Sequence, residues 1–130
     1  GTGFDVLDGK ARLLTDTGID WSEGIIKASE KMLDIAKQEK IELAVLMDVS
    51  AACGSQVIYN GNRFSDNKSY QIGAGVAAAL LIRNGFKVIS QRDFASLEIL
   101  YSKIDIKHNI DTTKLDHHGI EWYKEYFKTI

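Results

Sequence analysis

The apolar stretch at 42–48 constrains the fold more than any other part of the chain. Its residues lack the alternation of apolar and polar side chains that marks a half-exposed strand, so they predict a strand covered on both faces. A second short strand is predicted at 87–90, and an apolar helix at 76–84 lies between the two. Strands that alternate with helices are typical of a parallel sheet built from βαβ units, so the sequence predicts an α/β fold.

A longer helix, over 20–39, is predicted before the first of these strands. Asp20 and Glu23 have the spacing of a capping box, and an apolar face follows at helical spacing. That face comprises Trp21, Ile25, Ala28, Met32 and Ile35. The other predicted elements are strands at 10–14 and 56–59, a turn at Asn60-Gly61, an irregular loop at 62–72, a helix at 94–99, a polar connector at 105–117 and a helix at 120–127. Gly85 is expected to end the apolar helix as a left-handed cap.

The composition narrows the classes of function. A net charge of −2 over 130 residues provides no basic surface for the phosphates of a nucleic acid polymer. No apolar run reaches the ~18 residues of a membrane span. A single cysteine excludes an internal disulfide framework and suits a reducing cytosol, so we expect a soluble, cytoplasmic protein. The chain begins Gly1-Thr2-Gly3 rather than with methionine, and we expect the natural gene product to begin further upstream.

The single cysteine, Cys53, follows the predicted strand at 42–48 in a loop of small residues. Ligands of open α/β sheets bind just beyond the carboxyl ends of strands, so Ser50 and Cys53 are candidates for a catalytic hydroxyl and thiolate. The alternative is that Cys53 is a small buried thiol that fills a tight turn, since free cysteine is among the most buried residue types. A cysteine–histidine dyad is not favoured, because the histidines all lie in the late polar region, at His108, His117 and His118.

The segment 73–78 has the pattern G-x-G-x-x-A of a dinucleotide-binding fingerprint. That motif needs a hydrophobic strand directly before it, whereas residues 66–71 are mostly polar. We therefore interpret Gly73 and Gly75 as positions where the backbone passes close to another group. On this interpretation, free N–H groups at the helix start can hold a carbonyl or an anion.

The C-terminal region contains a histidine pair and an aromatic cluster. Asp116, His117 and His118 have metal-binding side chains, but adjacent histidines in a polar connector are more often solvated surface. The aromatic residues Trp122, Tyr123, Tyr126 and Phe127 cluster on one side of the predicted helix. Because soluble monomers seldom expose such a patch, we expect this helix to dock on the domain or to form a homodimer contact.

Several short motifs follow one another in a recognisable order. They are DVLDGKAR at 5–12, GID at 18–20, SAACGS at 50–55, IYNG at 58–61, FS at 64–65 and GVAAALL at 75–81. Each motif is weak alone, but their order and spacing over about 5–92 resemble the thiouracil-desulfidase family.

The resemblance implies a Rossmann-like three-layer domain with a parallel sheet. It also implies a four-iron four-sulfur cluster held by three cysteines, with one iron open to the sulfur of a thiolated pyrimidine. The family's pattern S-P-S-C-G supplies one ligand and a catalytic serine, and these roles fall on Cys53 and Ser50. We expect these two residues to line a pocket together with Gly54, Ser55, Tyr59, Gly61, Gly73 and Gly75.

The sequence departs from the family pattern at several positions. Ala51, Ala52, Asn60 and Ala77 replace the family's proline, serine, aspartate and threonine. The family's other two cysteines, and a glutamate beside one of them, belong to an N-terminal segment that this sequence lacks. Because one thiolate cannot hold a stable cluster, we expect this chain alone to bind none.

Two functions remain open at this point. The first is iron–sulfur-dependent desulfuration of a thiolated nucleobase or similar small molecule, incomplete in this chain. The alternative is a non-catalytic small-molecule binding or assembly module that has lost the metal. Two further cysteines followed by a glutamate, upstream in the reading frame, would favour the enzyme. In either case we expect a desulfidase-like domain at 1–104, followed by a connector and a C-terminal helical tail at 105–130.

Overall fold

The computed structural model describes residues 1–127 of the chain. In chain order its elements are α1 (Gly3–Leu7), α2 (Ser22–Gln38), β1 (Leu43–Leu46), β2 (Val57–Tyr59), β3 (Tyr70–Ile72), α3 (Val76–Arg83), β4 (Lys87–Ser90), α4 (Phe94–Ile104), a 3₁₀ turn (His117–Gly119) and α5 (Glu121–Tyr126). They form two compact units, one over 1–90 and one from Gln91 onward. A domain boundary after residue 104 stays a prediction. Among the residues described, no helix is long and apolar enough to cross a membrane.

Strands β1 and β4 form the parallel sheet of the first unit. They pair in register from Leu43 opposite Lys87 to Leu46 opposite Ser90, and α3 lies in the connection between them. This arrangement confirms the predicted α/β class and the βαβ unit. Gly85 ends α3 with φ +83°, as expected of a left-handed cap. The three-layer arrangement stays a prediction.

The prediction that β1 is covered on both faces is wrong for the described residues. Ala44 is buried against Leu33 of α2 and Leu81 of α3, in the main apolar cluster of the unit. Its neighbour Val45 is 42% exposed, and Met47 just beyond the strand is 67% exposed. Successive side chains of a strand point to opposite faces, so the helices cover the Ala44 face and leave the Val45 face open.

Strands β2 and β3 form an antiparallel hairpin. Val57 lies opposite Ile72 and Tyr59 opposite Tyr70, whose ring centroids are 5.2 Å apart. The predicted irregular loop at 62–72 is therefore wrong at its end, where 70–72 is a strand. The cross-strand tyrosine pair stabilises this pairing, and it was not recognised because the polar residues around it obscure the pattern.

Helix α2 confirms the predicted helix but not its cap or its buried face. Asp20 accepts from Ser22 N at 2.9 Å, whereas Glu23 forms an ion pair with Lys27 at 2.8 Å, so no capping box forms. The buried residues are Ser29, Leu33 and Ala36, one position later than the predicted face. Trp21 and Ile35 of the predicted face are more than half exposed, at 58% and 55%. Both stripes have helical spacing, and packing against Ala44 and Leu81 decides between them.

The N-terminal segment differs from the prediction. The strand predicted at 10–14 is absent from the described structure, where only an isolated bridge joins Leu14 to Asp20. Instead, α1 begins after Thr2, whose backbone N–H donates to Asp5 Oδ2 at 2.8 Å in a capping box. Asp8, at the end of α1, forms two hydrogen bonds with Arg83 of α3, at 2.8 and 3.0 Å. The spacing of Thr2 and Asp5 was the signal for this short helix.

The second unit begins with α4, which is longer than the helix predicted at 94–99. Asp116 accepts two hydrogen bonds from Ser96 of α4, from its N–H and its hydroxyl, both at 2.8 Å. Glu98 Oε2 lies 2.6 Å from His108 Nε2 and accepts from Asp111 N at 3.1 Å. Side chains of α4 and of Asp116 therefore hold the predicted polar connector against this helix.

His117 contradicts the prediction that the histidine pair is solvated. It is fully buried, and its backbone N–H donates to Asp93 Oδ1 at 2.8 Å. Its ring lies 5.9 Å from Trp122 and 5.3 Å from Tyr123, centroid to centroid, both in edge contacts. His118 is exposed as predicted, because a 3₁₀ turn directs adjacent side chains to different sides. The docking of α5 on the domain or on a second copy stays a prediction.

Candidate functional site

Ser50 and Cys53 lie in the loop beyond the carboxyl end of β1. This loop folds back on β2, because Val49 N donates to Val57 O at 3.1 Å. The buried Asp48 contributes a further contact, since its Oδ1 accepts from Val57 N at 3.4 Å. The structure therefore brings the two predicted residues together at the edge where parallel strands place their ligands.

The hydroxyl of Ser50 organises the turn that carries the thiol. Ser50 Oγ accepts from Ala52 N at 3.2 Å and from Cys53 N at 3.1 Å, and Gly54 N donates to Ser50 O at 2.7 Å. The side chain of Ser50 also forms a hydrogen bond with the Cys53 thiol.

Two effects act on the protonation of Cys53. Burial of the half-buried side chain raises the pKa of the thiol above its ordinary value of 9.0, and the hydrogen bond with Ser50 works in the opposite direction. Because burial is the larger effect, the surroundings of Cys53 raise the pKa of its thiol overall and favour the protonated form.

The start of α3 binds the cysteine loop through main-chain hydrogen bonds. Gly75 N donates to Gly54 O at 2.7 Å, Val76 N to Ala51 O at 3.0 Å and Ala77 N to Ala52 O at 2.7 Å. The prediction that these N–H groups are free to hold a ligand is therefore wrong. They do hold carbonyls, but those carbonyls belong to the loop itself.

The close backbone approach predicted for Gly75 is confirmed. A Cβ atom added there would lie 2.6 Å from the carbonyl carbon of Ala52 and 2.7 Å from Cys53 N, distances too short for any real side chain. Gly73 has a different neighbour, because a Cβ at this position would lie 2.6 Å from Thr2 Cγ2. The cysteine loop is thus the group that the glycine before α3 accommodates.

The remaining predicted residues surround the loop or lie on the hairpin. Gly54 packs tightly, since an added Cβ would be 2.8 Å from Ser50 O, and the Ser55 hydroxyl is buried with no hydrogen-bond partner in the described structure. Tyr59 is the last residue of β2, and Gly61 follows in the turn with φ +93°. A pocket formed by these residues stays a prediction.

A surface cavity of about 630 Å³ lies elsewhere in the first unit, along α2. Arg12, Asp20 and Lys27 contribute to its wall, and none of the predicted site residues lines it.

Val49, directly before Ser50, is a feature of the site that sequence analysis missed. Its φ is +59°, in the left-handed region that β-branched residues rarely adopt. Such strain costs about 1–3 kcal/mol and persists where the surrounding structure enforces it. Nothing in the sequence indicates this conformation, because valine favours extended backbone.

The loop that carries Ser50 and Cys53 lies within the part of the chain that resembles known proteins. A model of the 2-thiouracil desulfurase family matches residues 3–93. The chain belongs to this family. An uncharacterized protein of Bacillus subtilis (strain 168), YbbK, is 42% identical over 93 residues, which are 72% of this chain and 60% of that protein. The predicted resemblance is confirmed.

A solved structure supports the same relationship. The [4Fe-4S]-dependent thiouracil desulfidase TudS superposes with a TM-score of 0.61 at 32% identity, over 71% of this chain and 59% of that one. The chain therefore spans about three-fifths of the length of these relatives. The family match ends at residue 93, close to the end of the first unit at Ser90, so the second unit lies almost wholly outside it.

The donor groups of residues 1–127 do not fit the four-iron cluster on which TudS depends. Within residues 1–127, no three His, Cys, Asp or Glu side chains are placed to hold a metal ion together. Cys53 offers one sulfur, and four-iron clusters in proteins are held by several thiolates. For a desulfurase of this family, ligands from outside the described residues would be needed.

Proposed function

We propose that this chain carries the serine–cysteine loop of an iron–sulfur-dependent desulfurase that acts on a thiolated nucleobase or a similar small molecule. The observation that carries the proposal is the Ser50–Cys53 pair, held beyond the end of β1 within the region that the family matches. The thiouracil desulfidase activity of TudS supports the choice of substrate class. A Rossmann-like three-layer arrangement and a cytoplasmic location belong to the same proposal.

The two side chains would have different roles in this chemistry. Cys53 would supply a single soft thiolate, a ligand type that suits iron. The hydroxyl of Ser50 would pass a proton to or from the reacting group, a role that its hydrogen bond with the Cys53 thiol supports. Because the described residues do not complete a cluster, the roles proposed here are those of these two side chains only.

A non-catalytic binding or assembly module is the second candidate. It is favoured by the single thiolate and by the lack of a metal-holding group within residues 1–127. Such a module would keep the fold and bind a small molecule without turning it over.

Reconstitution with iron and sulfide under anaerobic conditions tests the proposal. We expect the 130-residue chain to retain far less than the roughly four irons of one cluster. We expect the protein translated from the whole reading frame, treated identically, to convert 2-thiouracil to uracil. In that protein, Cys53→Ser should abolish turnover, and Ser50→Ala should lower it by about 10²-fold.

Two results would contradict this assignment. A cluster of full iron content on the 130-residue chain alone would show that the donor set had been misjudged. Binding of 2-thiouracil without turnover by the whole protein, unaffected by Cys53→Ser, would favour the module.

A further inference from the structure

The segment that precedes α3 is enclosed by main chain on two sides. On one side, Gly3 N donates to Ala74 O at 2.7 Å, and a Cβ added at Gly3 would overlap the backbone of Gly75. On the other side, a Cβ at Gly75 would overlap the backbone of Ala52 and Cys53. Neither Gly3 nor Gly75 therefore has room for a side chain, and the segment before α3 is packed against main chain through both glycines.

This close packing restricts the main chain of the cysteine loop. Three successive N–H groups, from Gly75, Val76 and Ala77, bind three carbonyls of the loop at 2.7–3.0 Å. The accepting carbonyls belong to Ala51, Ala52 and Gly54. Since these carbonyls flank Cys53 on both sides, its main chain has little freedom to rotate.

We propose that Gly75 is a positioning residue, which acts through the main chain of residues 51–54 to fix the direction and the burial of the Cys53 thiol. The glycine is needed because only a residue without a Cβ brings the three donors of α3 within hydrogen-bond distance of the loop. This inference deepens the proposed function, on which it rests for the role of the thiolate, by naming what regulates that group.

The reaction of Cys53 with the disulfide reagent DTNB, followed as a function of pH, tests the proposal. Cys53 is the only cysteine in the sequence, so the reagent reports on this thiol alone. We expect Gly75→Ala to raise the rate near pH 8 by at least about five-fold and to shift the pH profile toward that of an exposed thiol. Gly24→Ala is the matched control, because the space around Gly24 in α2 is open, and it should leave the profile unchanged.

A second pair of variants tests one hydrogen bond without adding a Cβ. Val76→Pro removes the N–H that binds Ala51 O, at the first position of α3 where proline is well tolerated. Gly75 before it has φ −72° and ψ 172°, a conformation that a following proline allows. Val76→Ala also shortens the buried side chain but keeps the N–H. We expect Val76→Pro to react at least about three-fold faster than Val76→Ala.

The outcomes separate this proposal from the proposed function. A folded Gly75→Ala with the wild-type pH profile would overturn the positioning role. If Gly75→Ala does not fold, the Val76 pair decides, and equal rates for the two would overturn it as well. Altered thiol profiles in variants of the 130-residue chain, together with a whole protein that neither binds a cluster nor converts 2-thiouracil, would support the positioning role and reject the desulfurase.

Discussion

The two units of the chain stabilise their loops by different means. In the first unit, the loop that carries Cys53 is bound by main-chain donors of α3, and glycines at 54 and 75 allow the approach. In the second unit, the segment after α4 is held by side chains, chiefly Asp116 and Glu98. The first loop keeps its geometry because the glycines carry no side chain that would block the main-chain hydrogen bonds. The second segment keeps its geometry because carboxylate side chains are present to accept hydrogen bonds.

This difference explains why the site tolerates some departures from its family. Ala51 and Ala52 stand where the resemblance places a proline and a serine, yet their contacts with α3 are made by their carbonyl oxygens. Any residue supplies a carbonyl, so these substitutions leave the binding of the loop to α3 intact. A substitution at Gly54 or Gly75 has no such freedom.

The largest effect is expected from Gly54→Ala. An added Cβ would lie 2.8 Å from Ser50 O and would also overlap Val57 O, and neither backbone atom can move without disturbing the loop. Forced overpacking of this kind costs about 1–3 kcal/mol, and we expect the upper end of this range for the free energy of unfolding, measured by urea denaturation.

Gly24→Ala provides the opposite control in the same unit. Gly24 lies in α2 with open space around it, so alanine should stabilise the helix by about 0.5–1 kcal/mol. If Gly54→Ala and Gly24→Ala changed the free energy of unfolding equally, the close main-chain packing at Gly54 would not contribute to stability.

We expect Asp116→Ala, in the second unit, to lower the free energy of unfolding by less than Gly54→Ala does. This change removes the acceptor of both hydrogen bonds from Ser96, at the start of α4. The N–H of Ser96 lies in the first turn of the helix and can bind water instead, so we expect a loss of about 1–2 kcal/mol in the free energy of unfolding. Asp116→Asn retains one acceptor oxygen and should lose roughly half as much. No loss for either variant would show that side chains do not hold this segment.

The sequence predicted those parts of the fold that depend on residues close together in the chain. It did not predict the parts that depend on contacts between residues distant in sequence. Helices α2 and α3 and strand β4 were predicted to within two residues, because apolar periodicity and the glycine at 85 are local signals. The buried face of α2 was misjudged, since two stripes had the same spacing and contacts distant in sequence chose between them. His117 was misjudged for a similar reason, because the aromatic residues that bury it are not its neighbours in any periodic pattern.

The sequence predicted where the candidate site lies, but only some of the contacts that hold it together. The apolar strand before Ser50 and Cys53 indicated where the two residues would lie, and Gly75 indicated a close approach. The identity of the approaching group, the left-handed φ of Val49 and the occupied N–H groups of α3 all arise from tertiary packing. No local signal in the sequence specifies them.

The smallest effect is expected from the titration of Glu98 in the second unit. Hydrogen bonds with the N–H of Asp111, and then with His108, lower the pKa of Glu98 below its ordinary value of 4.5, while burial and then the charge of Asp111 act in the opposite direction. A carboxyl with a lowered pKa contributes stability above its ordinary pKa, and this contribution is lost as the pH falls through the folded value. We therefore expect the chain to lose stability below about pH 4.5 more steeply than Glu98→Gln does.

Glu98→Gln is a suitable reference, because its amide oxygen still accepts from Asp111 N but does not titrate. Other carboxyls also have lowered pKa values, among them Asp5 beside Thr2 and Asp8 beside Arg83 in the first unit. These groups are the same in both proteins, so the difference between the two pH curves isolates Glu98. Urea denaturation from roughly pH 7 to pH 3 measures that difference. Parallel curves would mean that the carboxylate of Glu98 adds nothing beyond its hydrogen bonds, and that the side chains of the second unit act by geometry rather than by charge.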